Sequence, residues 1–340
     1  MLNGYYMTKR LINIDKSRSE AQYRQIINSV VHAIRLGKLK QQEKLPSVND
    51  IAGTFNLSRD TVLMAYNELK ARGIIQSVPG KGYYVDTTRV DYDQKILLLF
   101  DEFNAFKEDL YNAFIKELEG RATVDIFFHH FNPEVFASLV LERKERYTSY
   151  VIMPANLPNL LEVLEQLPEE RIYMLDRNPD YLNNRFPCVY QDFHHDMYDG
   201  LVAGLDLLKK YDRLVLLFPG GKEPEGFLTG FKDFCKHHDF SYEINSSFHP
   251  PADKGSVYII PNDRDLVNLV RDISGKSMIA GKDVGIISLN DTGLKEIVAG
   301  GITTLSTDFV EMGKNLARLI LSGKHECIKN PSRLNIRRSL

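Results

Sequence analysis

Cysteine is scarce. Cys188, Cys235 and Cys327 are the only three in 340 residues, far apart and without CxxC spacing. That excludes a disulfide framework and offers no zinc-ligand pattern, which leaves buried structural thiols as the reading of all three. Long apolar runs are missing as well. None approaches the roughly 18 residues of a membrane span, and the N-terminus lacks the basic-then-apolar order of a secretory signal, so a cytoplasmic protein away from membranes is expected. HExxH, GxSxG and GxGxxG constellations are absent. Gly275-Lys276-Ser277 ends like a phosphate-binding loop, but Val270 stands where the earlier glycine is required. His129-His130 and His194-His195-Asp196 lack the i, i+4 spacing by which a helix turns two ligands to one ion. No catalytic residue, metal or cofactor is therefore expected.

What is present is a soluble, globular composition, 43% hydrophobic, long enough for two or three domains. The net charge of -2 hides an asymmetry: residues 1–90 carry 14 Lys plus Arg against 7 Asp plus Glu, whereas residues 91–340 carry 29 against 38. A basic front neutralises phosphates and an acidic remainder is repelled by them, so only the first quarter is expected to touch nucleic acid.

That quarter contains LPSVNDIAGTFNLSRDTVLMAYNELKARGIIQSVPGKGYYV, residues 45–85. Ser47 with Asp50 makes a capping-box pair, and Ile51, Ala52 and Phe55 give the following short helix an apolar face. Asn56 ends it. Ser58 offers a second N-cap, after which Val62, Ala65, Tyr66 and Leu69 recur at helical spacing up to Gly73. This is a helix-turn-helix whose second helix leaves Arg59, Asp60, Leu63 and Asn67 off the apolar stripe and free to enter a major groove. Ile74–Ser77 and Tyr83–Val85 read as two strands joined by Val78-Pro79-Gly80-Lys81-Gly82, a tip at which glycines permit close approach and a lysine suits a phosphate. An earlier helix, starting after Ser19 with Tyr23, Ile26, Ile27, Val30 and Ile34 on one face, completes the small core, and residues 1–18 look irregular.

The LPS start, the Asp-Ile-Ala, LSRDTVLMAYNELKARGIIQS and GKGYYV resemble the winged helix-turn-helix of the GntR family of bacterial transcription regulators. The resemblance covers residues 20–86 and implies binding to double-stranded operator DNA. By it, Ser47, Asn49, Ser58, Arg59, Asp60 and Thr61 face the duplex and Gly80, Lys81 and Gly82 hold the minor groove or its phosphates. The family usually has arginine where Asn49 stands, and some members have another in place of Leu63. Asparagine reads adenine edges where arginine prefers guanine, which points to a different operator sequence.

Thr87–Gln94 is short and polar, a linker between a domain at 1–86 and one at 95–340. Beyond it strand and helix patterns alternate. Runs at 95–100, 124–128, 150–153, 172–175 and 189–191 form one series, a helix over 198–210 follows, and runs at 214–218, 241–244, 257–260, 284–289 and 303–305 form a second. The alternation predicts an α/β domain of two doubly wound lobes with a ligand between them, at the carboxyl ends of the strands. Asp101, Phe103, His129, His130, Asp176, Arg177, Asp192, Asn262, Asp263, Asn290, Asp291 and Asp308 stand at those ends. Planar carboxylates and amides beside an aromatic such as Phe103 suit a carbohydrate.

MLDR at 174–177, PND at 261–263, VGIISLND at 284–291, ITTLSTDFVEMGKNLARLIL at 302–321 and the closing LNIRRSL are similar to the periplasmic-sugar-binding-protein fold that serves as the effector domain of LacI-type regulators. This implies that Asp176 and Arg177 hold sugar hydroxyls and that Asn262 and Asn290 face them from the other lobe; the strand-end reading adds Phe103 and Asp308 to the sugar-binding set. An arginine common in that family is replaced here by Phe227, with Glu225 nearby as a substitute. The combined resemblance implies a homodimer that represses a carbohydrate-utilisation operon until a monosaccharide such as arabinose or fucose closes the lobes. Outer-helix residues around Leu316–Ile320 are candidates for the dimer contact. The rival expectation is an α/β enzyme of carbohydrate or pyridoxal-phosphate type fused to a DNA-binding wing, which requires a Schiff-base lysine and a larger second domain.

Overall fold

A computed structural model describes residues 8, 11–16, 20–88, 90 and 94–340. Most of the irregular stretch anticipated at 1–18, and positions 89 and 91–93 of the anticipated linker, lie outside the described residues. Three helices, α1 (Gln22–Arg35), α2 (Val48–Phe55) and α3 (Arg59–Ala71), precede a hairpin of β1 (Ile75–Val78) and β2 (Gly82–Val85). Local chemistry fixes each boundary. Ser47 Oγ accepts the Asp50 N–H while the Asp50 carboxylate accepts the Ser47 N–H, a reciprocal capping box. Asn56 closes α2 in the left-handed conformation, and Ser58 Oγ accepts the Thr61 N–H at 3.0 Å to open α3. Ile26, Ile27, Val30, Ile51, Val62, Tyr66 and Leu69 are buried together as the domain core. Tyr66 is the largest side chain there, and its phenol donates to Pro46 O at 2.7 Å, which ties α3 to the start of α2. Burial pushes that phenol above its ordinary pKa.

The remainder is α/β. The first series runs β3 (Gln94–Phe100), α4 (Ala105–Leu118), β4 (Ala122–Phe128), α5 (Pro133–Leu141), β5 (Ser149–Ile152), α6 (Leu160–Leu164), β6 (Ile172–Asp176) and β7 (Cys188–Tyr190). The second runs α7 (Phe193–Ala203), α8 (Leu205–Leu208), β8 (Arg213–Leu217), α9 (Glu225–His237), β9 (Ser241–Asn245), β10 (Ser256–Ile260), α10 (Asp263–Gly275), β11 (Gly285–Leu289), α11 (Gly293–Ile297) and β12 (Thr303–Thr307). The helix α12 (Phe309–Ser322) and the strands β13 (Cys327–Lys329) and β14 (Ser332–Asn335) close the chain.

Two six-stranded sheets result, ordered β13-β7-β6-β5-β3-β4 and β14-β12-β11-β10-β8-β9. Every registered pairing in them is parallel except β12 with β14. Central strands such as β10 and β11 are buried on both faces, which is why they read as continuous apolar runs. The chain passes from the first sheet to the second after β7, returns through α12 to β13, and crosses again into β14, a three-crossing, two-lobed architecture.

By compactness the chain divides into two units: residues up to Phe100 with Leu118–Ile152 and Asn159–Tyr173, and Asp101–Glu117 with Met153–Pro158 and Met174–Leu340. Two details of the helices differ from the sequence reading. The helix expected over 198–210 begins at Phe193, capped by Asp192, and breaks at Gly204. Leu316, Ala317, Leu319 and Ile320 are buried within the single chain, because α12 packs so closely on α4 that a Cβ on Gly313 would meet Leu110 O at 2.3 Å. That removes them from the surface on which a dimer contact was anticipated.

Candidate DNA interface and effector site

The residues expected to face DNA separate by role. Ser47 and Ser58 are exposed, and their hydroxyls are committed to capping. Asn49, Arg59 and Asp60 are exposed on the outer turns of α2 and α3, and the half-buried Thr61 shares a 2.8 Å hydroxyl contact with Ser58. In the hairpin, Val78 pairs with Gly82, so Lys81 sits exposed at the tip between Gly80 at φ +72° and Gly82 at φ +111°. Those left-handed angles are what only glycine adopts without strain. An exposed cationic tip and an exposed helix N-terminus are the kinds of group that meet phosphates and base edges.

The effector-site candidates fall in the second unit. Asp176 ends β6 in the left-handed region at φ +72°, and its carboxylate accepts from the Gln191 side-chain amide. Burial pushes this carboxyl above its ordinary value, and the Asp101 carboxylate adds to the shift, while Lys107, Arg177 and the Gln191 amide oppose it. Asp101 is itself buried, in a tight ion pair with Lys107 of α4. Asp176 is thus bonded to Gln191 and lies within electrostatic reach of the Asp101–Lys107 pair.

Arg177 is the next node. Its guanidinium donates to the Asn156 side chain and, at 2.8 Å, to Lys222 O, and it lies 5.5 Å over the Phe193 ring. Its Nε is buried with no partner among the described residues. Asn156 Nδ2 donates to Gly221 O at 2.7 Å, and Lys222 Nζ lies 2.9 Å from Glu102 Oε2. Strand ends of the first sheet are thus bonded to the Gly220-Gly221 loop that follows β8 of the second. Phe103, half exposed at 52%, follows Asp101 on the same connection.

The other expected ligand residues have evident structural work. Asn262 caps α10, its Oδ1 accepting the Asp265 N–H at 2.9 Å and its Nδ2 donating to the Asp265 carboxylate. Asp308 caps α12 through the Glu311 N–H at 2.9 Å. Asn290 is left-handed at φ +62°, and its carbonyl accepts from the buried Lys295 at 2.8 Å. Lys295 also donates to Leu289 O at 2.9 Å and pairs with Asp263 at 3.1 Å; burial pulls its pKa down and Asp263 holds it up. Glu225 is exposed at the first turn of α9, whereas Glu223, two residues earlier, has one carboxylate oxygen buried with no partner among the described residues. Asp291 is taken by Arg337 in a two-pronged pair at 2.8 and 2.7 Å. Burial alone would raise its carboxyl, but that pairing brings it below the ordinary value.

Sequence reasoning missed Lys107, Asn156, Gln191, Lys222 and Glu223. Gln191 was recoverable, because β7 ends at Tyr190 and the strand-end rule then selects it rather than Asp192. The second histidine pair is engaged in protein contacts: His194 Nε2 with Asp233 and His195 Nδ1 with Asp192, each at 2.9 Å.

A basic winged helix-turn-helix joined to a two-lobed α/β domain with polar strand ends defines a class, the ligand-responsive transcription regulators. The family described as "Bacterial regulatory proteins, gntR family" matches residues 22–85. An arabinose metabolism transcriptional repressor of Geobacillus stearothermophilus is 34% identical over 362 aligned positions, spanning 90% of this chain and 92% of that one. The mannosyl-D-glycerate transport/metabolism system repressor of Escherichia coli is 39% identical over 80 residues, 24% of this chain and only 33% of that protein. A LacI family regulator from Lactobacillus casei, solved with bound sucrose, superposes on 72% of this chain and 99% of its own with a TM-score of 0.59 at 15% identity. The chain belongs to the GntR family of regulators, and its second domain has the LacI-type effector fold. Among the described residues no helix is long and apolar enough to cross a membrane.

Proposed function

We propose that this protein is a repressor of a carbohydrate-utilisation operon, released from its operator by a monosaccharide, with arabinose or fucose the first to test. The observation that carries the reading is the end-to-end similarity to an arabinose metabolism repressor, spanning both domains. The polar cluster of Asp176, Asp101, Lys107 and Gln191 supports it, since paired carboxylates and amides suit adjacent hydroxyls. In this reading residues 1–86 bind DNA, 87–94 connect, and 95–340 sense the sugar and dimerise. Ser47, Asn49, Ser58, Arg59, Asp60, Thr61, Gly80, Lys81 and Gly82 form the DNA face. Phe103, Asp176, Arg177, Asn262, Asn290 and Asp308 contact the sugar, together with Glu225.

Mechanistically, sugar favours one arrangement of the lobes and DNA the other, and only that difference in affinity transmits the signal. A coupling of roughly 1–3 kcal/mol suffices for useful derepression. Twofold symmetry of a homodimer pairs two wings on a pseudo-palindrome. The test is a panel of monosaccharides scored by rise in melting temperature, followed by mobility shift of a duplex selected by the full-length chain from a random pool. One sugar that stabilises the protein and releases the duplex is expected. Stabilisation by none, or turnover of a sugar by the purified chain, overturns the reading.

A further inference from the structure

The outward face of α3 does not stand clear within its own unit. Leu63, Met64 and Asn67 form one wall of a groove of about 500 Å³ whose opposite wall carries Glu145, Glu170 and Arg171 of the α/β domain. Met64, a long apolar side chain 54% exposed, lies open in it. Two ion pairs close the groove. Lys70 Nζ, on the last turn of α3, is 2.5 Å from Glu145 Oε2, and Arg171 Nη2 is 3.3 Å from Glu68 Oε2. Arg171 is fixed from its own side by donating to Tyr147 O at 3.2 Å, and Glu68 is fixed by Arg72 at 3.1 Å. The Lys70 hydrogen bond holds the Glu145 carboxyl below its ordinary value.

A helix that reads bases must sit inside a groove about 12 Å wide and 8.5 Å deep, with phosphates along both rims. Here the space in front of the helix is bounded by side chains bonded to it, and a phosphate rim entering there meets Glu145 and Glu170, which repel it. We propose that this contact is an autoinhibitory clamp: the Lys70–Glu145 and Glu68–Arg171 pairs hold the recognition helix in an arrangement that excludes the duplex, and DNA binding requires both to open. A pair whose carboxylate is 66% exposed, as in Lys70–Glu145, biases the clamped state by only about 1.4- to 5-fold, which keeps the helix releasable.

The variants Glu145→Gln and Arg171→Gln remove charges of opposite sign, so a simple change of surface potential moves their DNA affinities in opposite directions. The clamp instead has both bind more tightly. Full-length protein and both variants are titrated, by fluorescence anisotropy, with a duplex selected by the wild-type chain from a random pool. Each variant is expected to bind about 1.4- to 5-fold tighter and the double variant by about the product. Glu142→Gln is the control, since its carboxylate takes Ser138 Oγ at 2.7 Å rather than α3, and its affinity is expected to stay at the wild-type level. Unchanged or weaker binding by Glu145→Gln, weaker binding by a folded Arg171→Gln, or equal tightening by Glu142→Gln overturns the clamp. Glu145 is 66% exposed, so its variant tests the idea even where Arg171→Gln fails to fold.

Discussion

Asp176 and Gln191 meet across the ends of β6 and β7: the Gln191 amide donates to the Asp176 carboxylate, and the Gln191 N–H reaches Asp176 O at 3.0 Å. The two bonds support a left-handed backbone that costs a non-glycine residue about 1–3 kcal/mol. In the proposed reading this carboxyl meets a sugar hydroxyl. For Asp176→Ala the expectation is loss of the thermal response to the stabilising monosaccharide, which for wild type at a hundredfold excess over Kd is worth about 2.7 kcal/mol. Duplex binding without sugar stays at the wild-type level. A retained thermal shift in the variant removes Asp176 from the site.

Arg59 opens α3 and Lys81 tips the hairpin, both exposed. If each meets a phosphate or base edge, Arg59→Ala and Lys81→Ala weaken duplex binding at low salt. Each lost phosphate contact lowers the slope of log K against log salt by about 0.9. Mobility-shift titrations at several salt concentrations measure both quantities, and wild-type affinity and slope in either variant would exclude that residue from the interface.

Asp196 gives a pH signature. It is 7% exposed on α7, one carboxylate oxygen has no partner among the described residues, and burial pushes its carboxyl from 3.8 up to about 7, against the pull of Lys329. A raised carboxyl means that between those two values the native state keeps a proton the unfolded chain has lost. Its stabilising contribution is complete below the lower value and falls as pH rises through the upper one. Melting temperature should therefore drop between pH 5 and pH 8 more steeply in wild type than in Asp196→Asn, which is expected to melt higher at pH 8. Parallel profiles would show that the carboxyl is not perturbed.

Legibility followed the range of the forces. The caps of Ser47 and Ser58 and the left-handed Asn56 are contacts over three or four residues, so the helix-turn-helix stands in the sequence almost as it folds. Central strands of parallel sheets leave apolar runs for the same reason: burial on both faces acts on every residue. The edge strands β13 and β14 were invisible. They are short, half-exposed and polar, and only pairing with β7 and β12, far away in sequence, makes them strands. The start of α7 was missed because FHHDMYD has no apolar period, yet Asp192 caps it. Strand ends located Asp176 and Arg177. Lys107, Asn156 and Lys222 arrive from a helix and two loops, where no local pattern announces which side chains will converge.

Asn262 carries two hypotheses that one residue can separate. Its Oδ1 caps α10 at 2.9 Å from the Asp265 N–H, and its position after β10 also made it a candidate for sugar. Removing a cap costs about 1 kcal/mol, so Asn262→Ala is expected to lower stability by that amount whatever else the amide does. Serine caps nearly as well as asparagine but lacks the amide donor pair. Asn262→Ser should therefore melt close to wild type. If the amide also binds the effector, that variant loses the sugar-dependent rise in melting temperature while keeping its basal value. If the response survives in Asn262→Ser, capping is the whole of the residue's work, and the second lobe must grip its ligand from elsewhere, with Asn290 the next position to substitute.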